Sequence, residues 1–455
     1  MIKELFERYS KKWVSLFEDA DLRKYLSKGT SGTFLIYLLT MGLTFAVNIL
    51  LARALGADEF GKYTFVLAWL AVGANAFSLG MDDLALREVP ALLSGKQDKK
   101  LRLFLAYALR GTFISVLIGL VVGSAIIQLG PWEEIRKLNT YFLPALIALP
   151  FSIFILLFQG ILRGGQHVLS GQLPEKVIRP AAILLISLLI YFFYSPKEQS
   201  AIHYLWGASA SIFMACGASF FLFRNKFESP FFASYFRKIG GTDSWNRQLF
   251  YFFLLSLLAI INVRIDVLML GGLGFLDDTG VYNIAAKLVE LPMIILLITN
   301  TVVAPLYARF QQEGAKEKTQ KLFTFITRVV FVLSLPLFGG LILLRHPILS
   351  LFGEEFIKGD AVLLILACSQ MIGLMMGPAA YALMMLGHGK QVSIALAVVF
   401  SLTLILQWIF IPIYGIAGAA VGRGAGIIVG AILYAWLIWR RERVRPGLVF
   451  PAKLP

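Results

Sequence analysis

Arg264 and Asp266 stand two residues apart inside one continuously apolar run, and Lys287 and Glu290 stand three apart inside the next. An ionised side chain at bilayer depth costs on the order of 2.5 to 3.5 kcal/mol on insertion scales, so it faces a wet cavity or a partner. Two helical residues in succession but one differ by about 200° in direction, so Arg264 and Asp266 make a poor local pair and one of them needs another helix. Lys287 and Glu290 share a helix face. They either neutralise each other or line a lumen. Arg423 lies too deep in a later run to reach the interface easily, whereas Arg110 and Arg328, one to two turns from an edge, can snorkel there. These embedded bases outweigh the acids Asp266 and Glu290, so a cavity between them is electropositive and suited to an anion. Guanidinium presents paired donors that match phosphate oxygens, which favours a pyrophosphate group over an organic cation. Asp266 or Glu290 remains as a possible coupling carboxylate. Asp82 and Asp83 precede Arg87 by one helical turn. They form either a local ion pair or a gate at the inner mouth.

The elements that hold these groups follow from composition. Of 455 residues, 58% are hydrophobic and 15% charged, with a mean hydropathy of +0.76, against roughly 45 to 50% and about 25% in ordinary globular chains. The chain therefore reads as an all-α polytopic membrane protein. Windows of about 20 apolar residues, the length of a crossing, fall at 31–52, 63–84, 103–128, 140–162, 177–195, 203–223, 247–271, 280–304, 323–345, 360–386, 391–412 and 415–438. The formal charge of +15 comes from 42 Lys and Arg against 27 Asp and Glu. About 30 of the basic residues fall on the side holding both termini and about 7 on the other, which places both ends in the cytoplasm under the positive-inside rule. That bias explains the charge through anionic headgroups and removes the need for a nucleic acid. The chain reads as a multi-pass protein of the cytoplasmic (inner) cell membrane. Residues 1–29 carry Leu5, Phe6, Tyr9, Trp13, Leu16 and Phe17 near one face, as an interfacial amphipathic helix or a cytosolic cap, and show no signal-peptide pattern.

The connection 224–246 separates a six-crossing bundle over 30–223 from another over 247–439, followed by a cytoplasmic tail over 440–455. An even number per half implies a pseudo-two-fold along the membrane normal. Leu55, Gly56, Phe60, Gly61 and Tyr63 in the first half are echoed by Leu273, Gly274, Gly280 and Tyr282 in the second. Pro292, Pro336 and Pro378 lie within crossings and are possible bending points. Enzymatic chemistry finds little material. The histidines His167, His203, His346 and His388 are scattered at helix ends, Cys216 and Cys368 have no ligand spacing, and no phosphate-binding GK[ST] loop occurs. No cofactor or metal is expected, and the energy for transport must come from an ion gradient, the membrane potential or the substrate gradient.

Residues 53–56, Arg-Ala-Leu-Gly, with Phe60, Gly61, Tyr63, Gly80 and Arg87 resemble the opening signature of the multidrug/oligosaccharidyl-lipid/polysaccharide (MOP) exporter superfamily, and within it the Wzx-type polysaccharide flippases. Further matching stretches are Phe158, Gln159, Gly160 and Arg163; Asp266, Gly280, Tyr282 and Ala285; and Pro412, Tyr414, Gly415, Gly418 and Ala419. The resemblance implies two six-helix bundles that rock about a central cavity. It also implies translocation of an undecaprenyl-pyrophosphate-linked oligosaccharide to the outer leaflet during surface polysaccharide assembly, with membrane lipids, a coupling H+ or Na+ and polysaccharide assembly proteins as partners. It places Arg53 near the cavity mouth, where a plain interfacial anchor is the other reading. On this basis Arg264, Arg423, Arg110, Arg328, Lys287 and Arg53 are expected to contact the pyrophosphate. The alternatives are a cation-coupled small-molecule exporter of the MATE type and a membrane-embedded polymerase or glycosyltransferase.

Overall fold

The computed structural model describes residues 20–129, 138–195, 199–227 and 243–448, with side chains from Leu35 onward except at 129, 243, 244, 301, 302, 304, 305 and 308. All regular structure among them is helical, and ten of the helices are long and apolar enough to cross a membrane. The amphipathic segment expected before residue 20, the middle of the 224–246 connection and the end of the tail lie outside the described residues.

Two helices are too long for one crossing. Helix α1 (Ala20–Ser78) has an apolar stretch of 44 residues, roughly 66 Å at 1.5 Å per residue and about twice a hydrocarbon core. It is broken at Gly56 (φ 71°, ψ −179°), a conformation that strains any residue with a Cβ. Gly415 (φ 56°, ψ −132°) breaks the 54-residue last helix in the same way. Each break leaves two limbs of about one crossing.

The second expected crossing does not continue to Arg87. Its helix ends at Ser78, Leu79 and Gly80 take left-handed φ of 52° and 72°, and α2 (Met81–Ser94) starts anew. A Cβ at Gly80 would sit 2.6 Å from the backbone of Phe252, so the turn lets a later helix pack onto it. Helices α3 (Asp98–Leu129) and α4 (Asn139–Gly164) agree with the sequence reading. The fifth crossing begins nine residues earlier than expected. Helix α5 (Val168–Phe193) passes the imide of Pro174 through a π turn over Pro174–Ile178, which absorbs the missing donor. Glu175 and Lys176 thereby join Arg179 inside the crossing helix rather than lying in the connection before it.

Helix α6 (Ala201–Lys226) closes the first part, and α7 (Asp243–Gly272) opens the second. Helices α8 (Leu276–Glu290) and α9 (Ile294–Gln312) join through a 3-10 turn holding Pro292, and α10 (Lys316–Leu343) carries Pro336 without interruption. After the short α11 (Arg345–Ser350) and a 3-10 turn at Glu354–Gly359, α12 (Asp360–Met375) ends before Gly377 (φ 82°). Pro378 is therefore not inside a crossing: it caps α13 (Ala379–Met385). Helix α14 (Gly389–Glu442) completes the chain. Left-handed φ recurs at Gly56 and Lys96 before the 224–246 connection and at Gly274 and Gly314 after it, separated by the same interval.

One buried apolar cluster runs through both parts, including Phe65, Tyr204, Tyr282, Phe323 and Phe356. The outward surface carries Val121, Phe192, Phe193 and Leu343 almost fully exposed. In water such a face would aggregate. Against lipid tails it is the ordinary boundary.

Candidate functional site

Asp266 on α7 is buried to 2% exposure. Its carboxylate accepts three side-chain hydrogen bonds: from the Tyr282 hydroxyl on α8 at 2.8 Å, and at 2.5 Å each from Gln407 Nε2 and Arg423 Nη1, which come from the two limbs of α14. Arg423 thus supplies the partner from another helix that Asp266 lacks on its own. The two expected site residues form one ion pair.

Arg264, two residues earlier, points elsewhere. Its Nε is buried without a hydrogen-bond partner, and it makes no ion pair within 4 Å among the described residues. Its charged neighbours are Glu290, Arg179 and Arg423. Arg179, on α5, falls inside the expected fifth crossing, 177–195, yet is not among the expected site residues. It is held by Glu175 one turn back at 2.5 Å. Lys287 does not pair with Glu290 three residues on. Its Nζ donates to the Asn48 side-chain carbonyl on the first limb of α1 at 2.9 Å, while Glu290 is exposed. Between these limbs lies a cleft of about 370 Å³, walled mainly by apolar side chains such as Met41, Phe45, Leu288 and Leu297, with Lys287 and Glu290 on the α8 side. A second cavity, of about 350 Å³, is lined by residues of α7, α9, α12, α13 and α14, Arg423 among them. Arg110, half-buried on α3, and Arg328, exposed on α10, line neither space.

At the Gly56 end the two parts meet in a seam. Arg53 Nε donates to the Leu351 carbonyl and the Ala57 amide donates to the Glu355 carboxylate, both at 2.7 Å. Phe60 and Phe356 rings meet edge to face at 5.9 Å. A Cβ on Gly61 would lie 1.9 Å from the Leu276 carbonyl oxygen and one on Gly280 2.7 Å from that of Ala57. Only hydrogen fits at either position. Arg53 is consequently exposed but engaged, away from the cleft holding Lys287.

At the other end Asp83 turns to α7, accepting from the Ser256 hydroxyl at 2.6 Å, and not to Arg87, which is exposed. Asp82 accepts from Ser78 at 3.3 Å. Trp245 Nε1 donates to Glu88 at 3.2 Å and the Tyr107 hydroxyl to Asn246 at 2.6 Å. The acidic pair therefore lies at a contact between α2 and α7, two elements from opposite sides of the 224–246 connection.

A family profile described as polysaccharide biosynthesis protein matches residues 26–311. The chain is 27% identical over 177 residues to the probable low-salt glycan biosynthesis flippase Agl15 of Haloferax volcanii, a match that spans 37% of this chain and 36% of that relative. Among solved structures it superposes on the lipid II flippase MurJ in an inward closed conformation, with a TM-score of 0.72 and 16% identity over 90% of this chain and 86% of MurJ. An inward-facing multidrug resistance MATE family transporter of the MOP superfamily gives 0.71 and 16% over 90% and 98%. At these identities the two structures establish a shared fold.

Proposed function

This chain belongs to the polysaccharide biosynthesis protein family, and from that premise we propose that it is a transporter that flips a lipid-linked oligosaccharide across the cell membrane, from the cytoplasmic to the outer leaflet. The substrate is an undecaprenyl-pyrophosphate-linked glycan. Each of the two over-long helices counts as two crossings, so the ten helices become twelve, six before and six after the 224–246 connection. The equal spacing of left-handed residues in the two parts supports duplication. Both termini lie in the cytoplasm, the Gly56 end faces outward, and the Asp83 contact lies at the inner mouth, where opening would part Asp83 from Ser256. With the Gly56-end seam closed and the Asp83–Ser256 contact made, the described conformation is closed at both ends. Polysaccharide assembly proteins are the natural recipients of the flipped glycan.

The observation that carries the reading is Arg264. Arg264 is half-buried and its Nε is enclosed without a partner, which is costly, and its surroundings include two further arginines. An anion resolves that arrangement, and a diphosphate uses it best. The apolar cleft between α1 and α8, with Lys287 on its wall, gives a prenyl-linked anion a route whose tail stays in lipid. An organic cation is disfavoured because Asp266 is already enclosed by three donors and Glu290, the acid on the cleft wall, stands beside Arg264 with Lys287 on the same wall. A coupling cation is accordingly assigned to Glu290 before Asp266.

Arg264→Gln tests this directly. The expected result is normal membrane insertion, accumulation of lipid-linked oligosaccharide in the inner leaflet, and at least a tenfold loss of surface polysaccharide, about 1.4 kcal/mol or more of lost substrate interaction. Unchanged polysaccharide in that variant, or loss of drug resistance without loss of polysaccharide in a deletion strain, would return the exporter reading to first place.

A further inference from the structure

The cavity beside Arg423 belongs wholly to the second part of the chain and is separate from the cleft that holds Lys287. Its wall carries three carboxamides, those of Asn262, Asn300 and Gln370, with the hydroxyls of Thr403, Tyr381 and Tyr434. The Asn300 carbonyl oxygen is buried with no hydrogen-bond partner, and Asn262 and Gln370 make no side-chain hydrogen bond among the described residues. In a membrane such groups ordinarily bond between helices. Here all three residues line a chamber. The sole ionised residue on the wall is Arg423, whose charge is met by Asp266 at 2.5 Å, so the chamber holds hydrogen-bonding groups without a free acid.

We propose that this chamber is a saccharide site: it binds the sugar units of the lipid-linked substrate, past Arg423, while their diphosphate stays at Arg264. The proposal rests on the flippase reading and deepens it. A carboxamide offers a donor and an acceptor side by side, which matches adjacent hydroxyls of a pyranose. Tyr381 and Tyr434 present rings to the apolar face of a sugar. Glycines at 373, 377 and 430 leave the wall without side chains, giving a ring close approach to backbone. The volume of about 350 Å³ falls in the roughly 300 to 1,000 Å³ range of ligand clefts, enough for a short oligosaccharide segment. Arg423 has four N–H donors beyond the one given to Asp266, so an acidic sugar is accommodated at that end. Arg264 and Arg423 are charged neighbours, so headgroup and first sugar can be engaged together.

The test uses the full chain in detergent, with Cys216 and Cys368 replaced by alanine and a single cysteine placed by Ala380→Cys at the chamber wall or by Thr44→Cys in the cleft. The probes are maltotriose, chitotriose and trigalacturonate, with farnesyl pyrophosphate as a separate arm. At least one trisaccharide is expected to slow maleimide labelling at position 380 by about tenfold when supplied at ten times its dissociation constant, and to leave position 44 unchanged. Asn300→Leu with Gln370→Leu removes that protection. Gly430→Val, whose Cβ meets Val399 at an ordinary 3.4 Å, fills the chamber without deleting a polar group and serves if the double variant does not fold. No protection by any trisaccharide, or protection undiminished in these variants, overturns the proposal. Farnesyl pyrophosphate is expected to protect position 44. Its failure to do so while a trisaccharide still protects position 380 counts against the diphosphate reading and leaves the saccharide site standing.

Discussion

Gly61→Leu is expected to abolish translocation while the protein remains inserted and soluble in detergent. The seam at the Gly56 end brings α8 so close to the second limb of α1 that a Cβ on Gly61 would sit 1.9 Å from the Leu276 carbonyl oxygen. Backbone cannot rotate aside as a flexible side chain does. Overpacking of even ordinary cores costs about 1 to 3 kcal/mol, and that alone shifts the closed seam by roughly 5- to 150-fold. Gly280→Leu, 2.7 Å from the Ala57 carbonyl oxygen, is expected to act in the same direction. The measurement is labelling from outside of a cysteine introduced by Phe60→Cys, together with surface polysaccharide. Gly272→Leu is the control, since nothing lies within 4 Å of its Cβ position, and it is expected to leave both unchanged. Wild-type labelling and output in Gly61→Leu would mean that the seam does not close during transport.

Removing either partner of the Asp266–Arg423 pair is expected to be the most damaging change to stability in the second part. Truncating one member of a buried ion pair strands the other and costs about 3 to 5 kcal/mol, whereas replacing both often costs little. Asp266→Asn and Arg423→Gln should each lower the detergent Tm sharply, and the double variant should recover most of the loss. The double variant separates two roles for Arg423. Recovered Tm with lost translocation shows a guanidinium needed by the substrate; recovery of both shows a purely structural pair. Tyr282→Phe, which deletes one of three donors to Asp266, should cost less than either, about 1 to 3 kcal/mol.

Apolar run length was enough to place most helices, because hydrocarbon thickness imposes one scale on all of them. The failures came where a charge or a glycine interrupted that scale. Glu175 and Lys176 delayed the fifth window by nine residues, whereas Arg179 lay inside it and only the fold brings it beside Arg264 on another helix. The run from Ser78 to Arg87 holds Gly80, Asp82 and Asp83, and the packing of Phe252 against Gly80 accounts for the break. Local spacing offered two pairs among its alternatives, and the fold makes neither. Lys287 and Glu290, and Asp83 and Arg87, are neighbours in sequence, yet Lys287 bonds Asn48 and Asp83 bonds Ser256, partners 239 and 173 positions away. The reading that Arg264 and Asp266 could not share a direction followed from helical geometry alone, whereas Arg423 as the partner of Asp266 did not, since a separation of 157 positions leaves no local trace.

The seam at the Gly56 end joins charged groups to backbone amides and carbonyls and glycine to carbonyl oxygen, and sets Asp277 of α8 against both Asp58 and Lys62 of α1. Salt screens the carboxylate repulsion and the lysine attraction together, so ionic strength has little net hold on it. Mechanical load has more. Helices that touch through hydrogen alone respond to the lateral pressure of the surrounding acyl chains, so a stiffer, more tightly packed bilayer would hold the vestibule shut and slow the cycle, and a fluid one would release it.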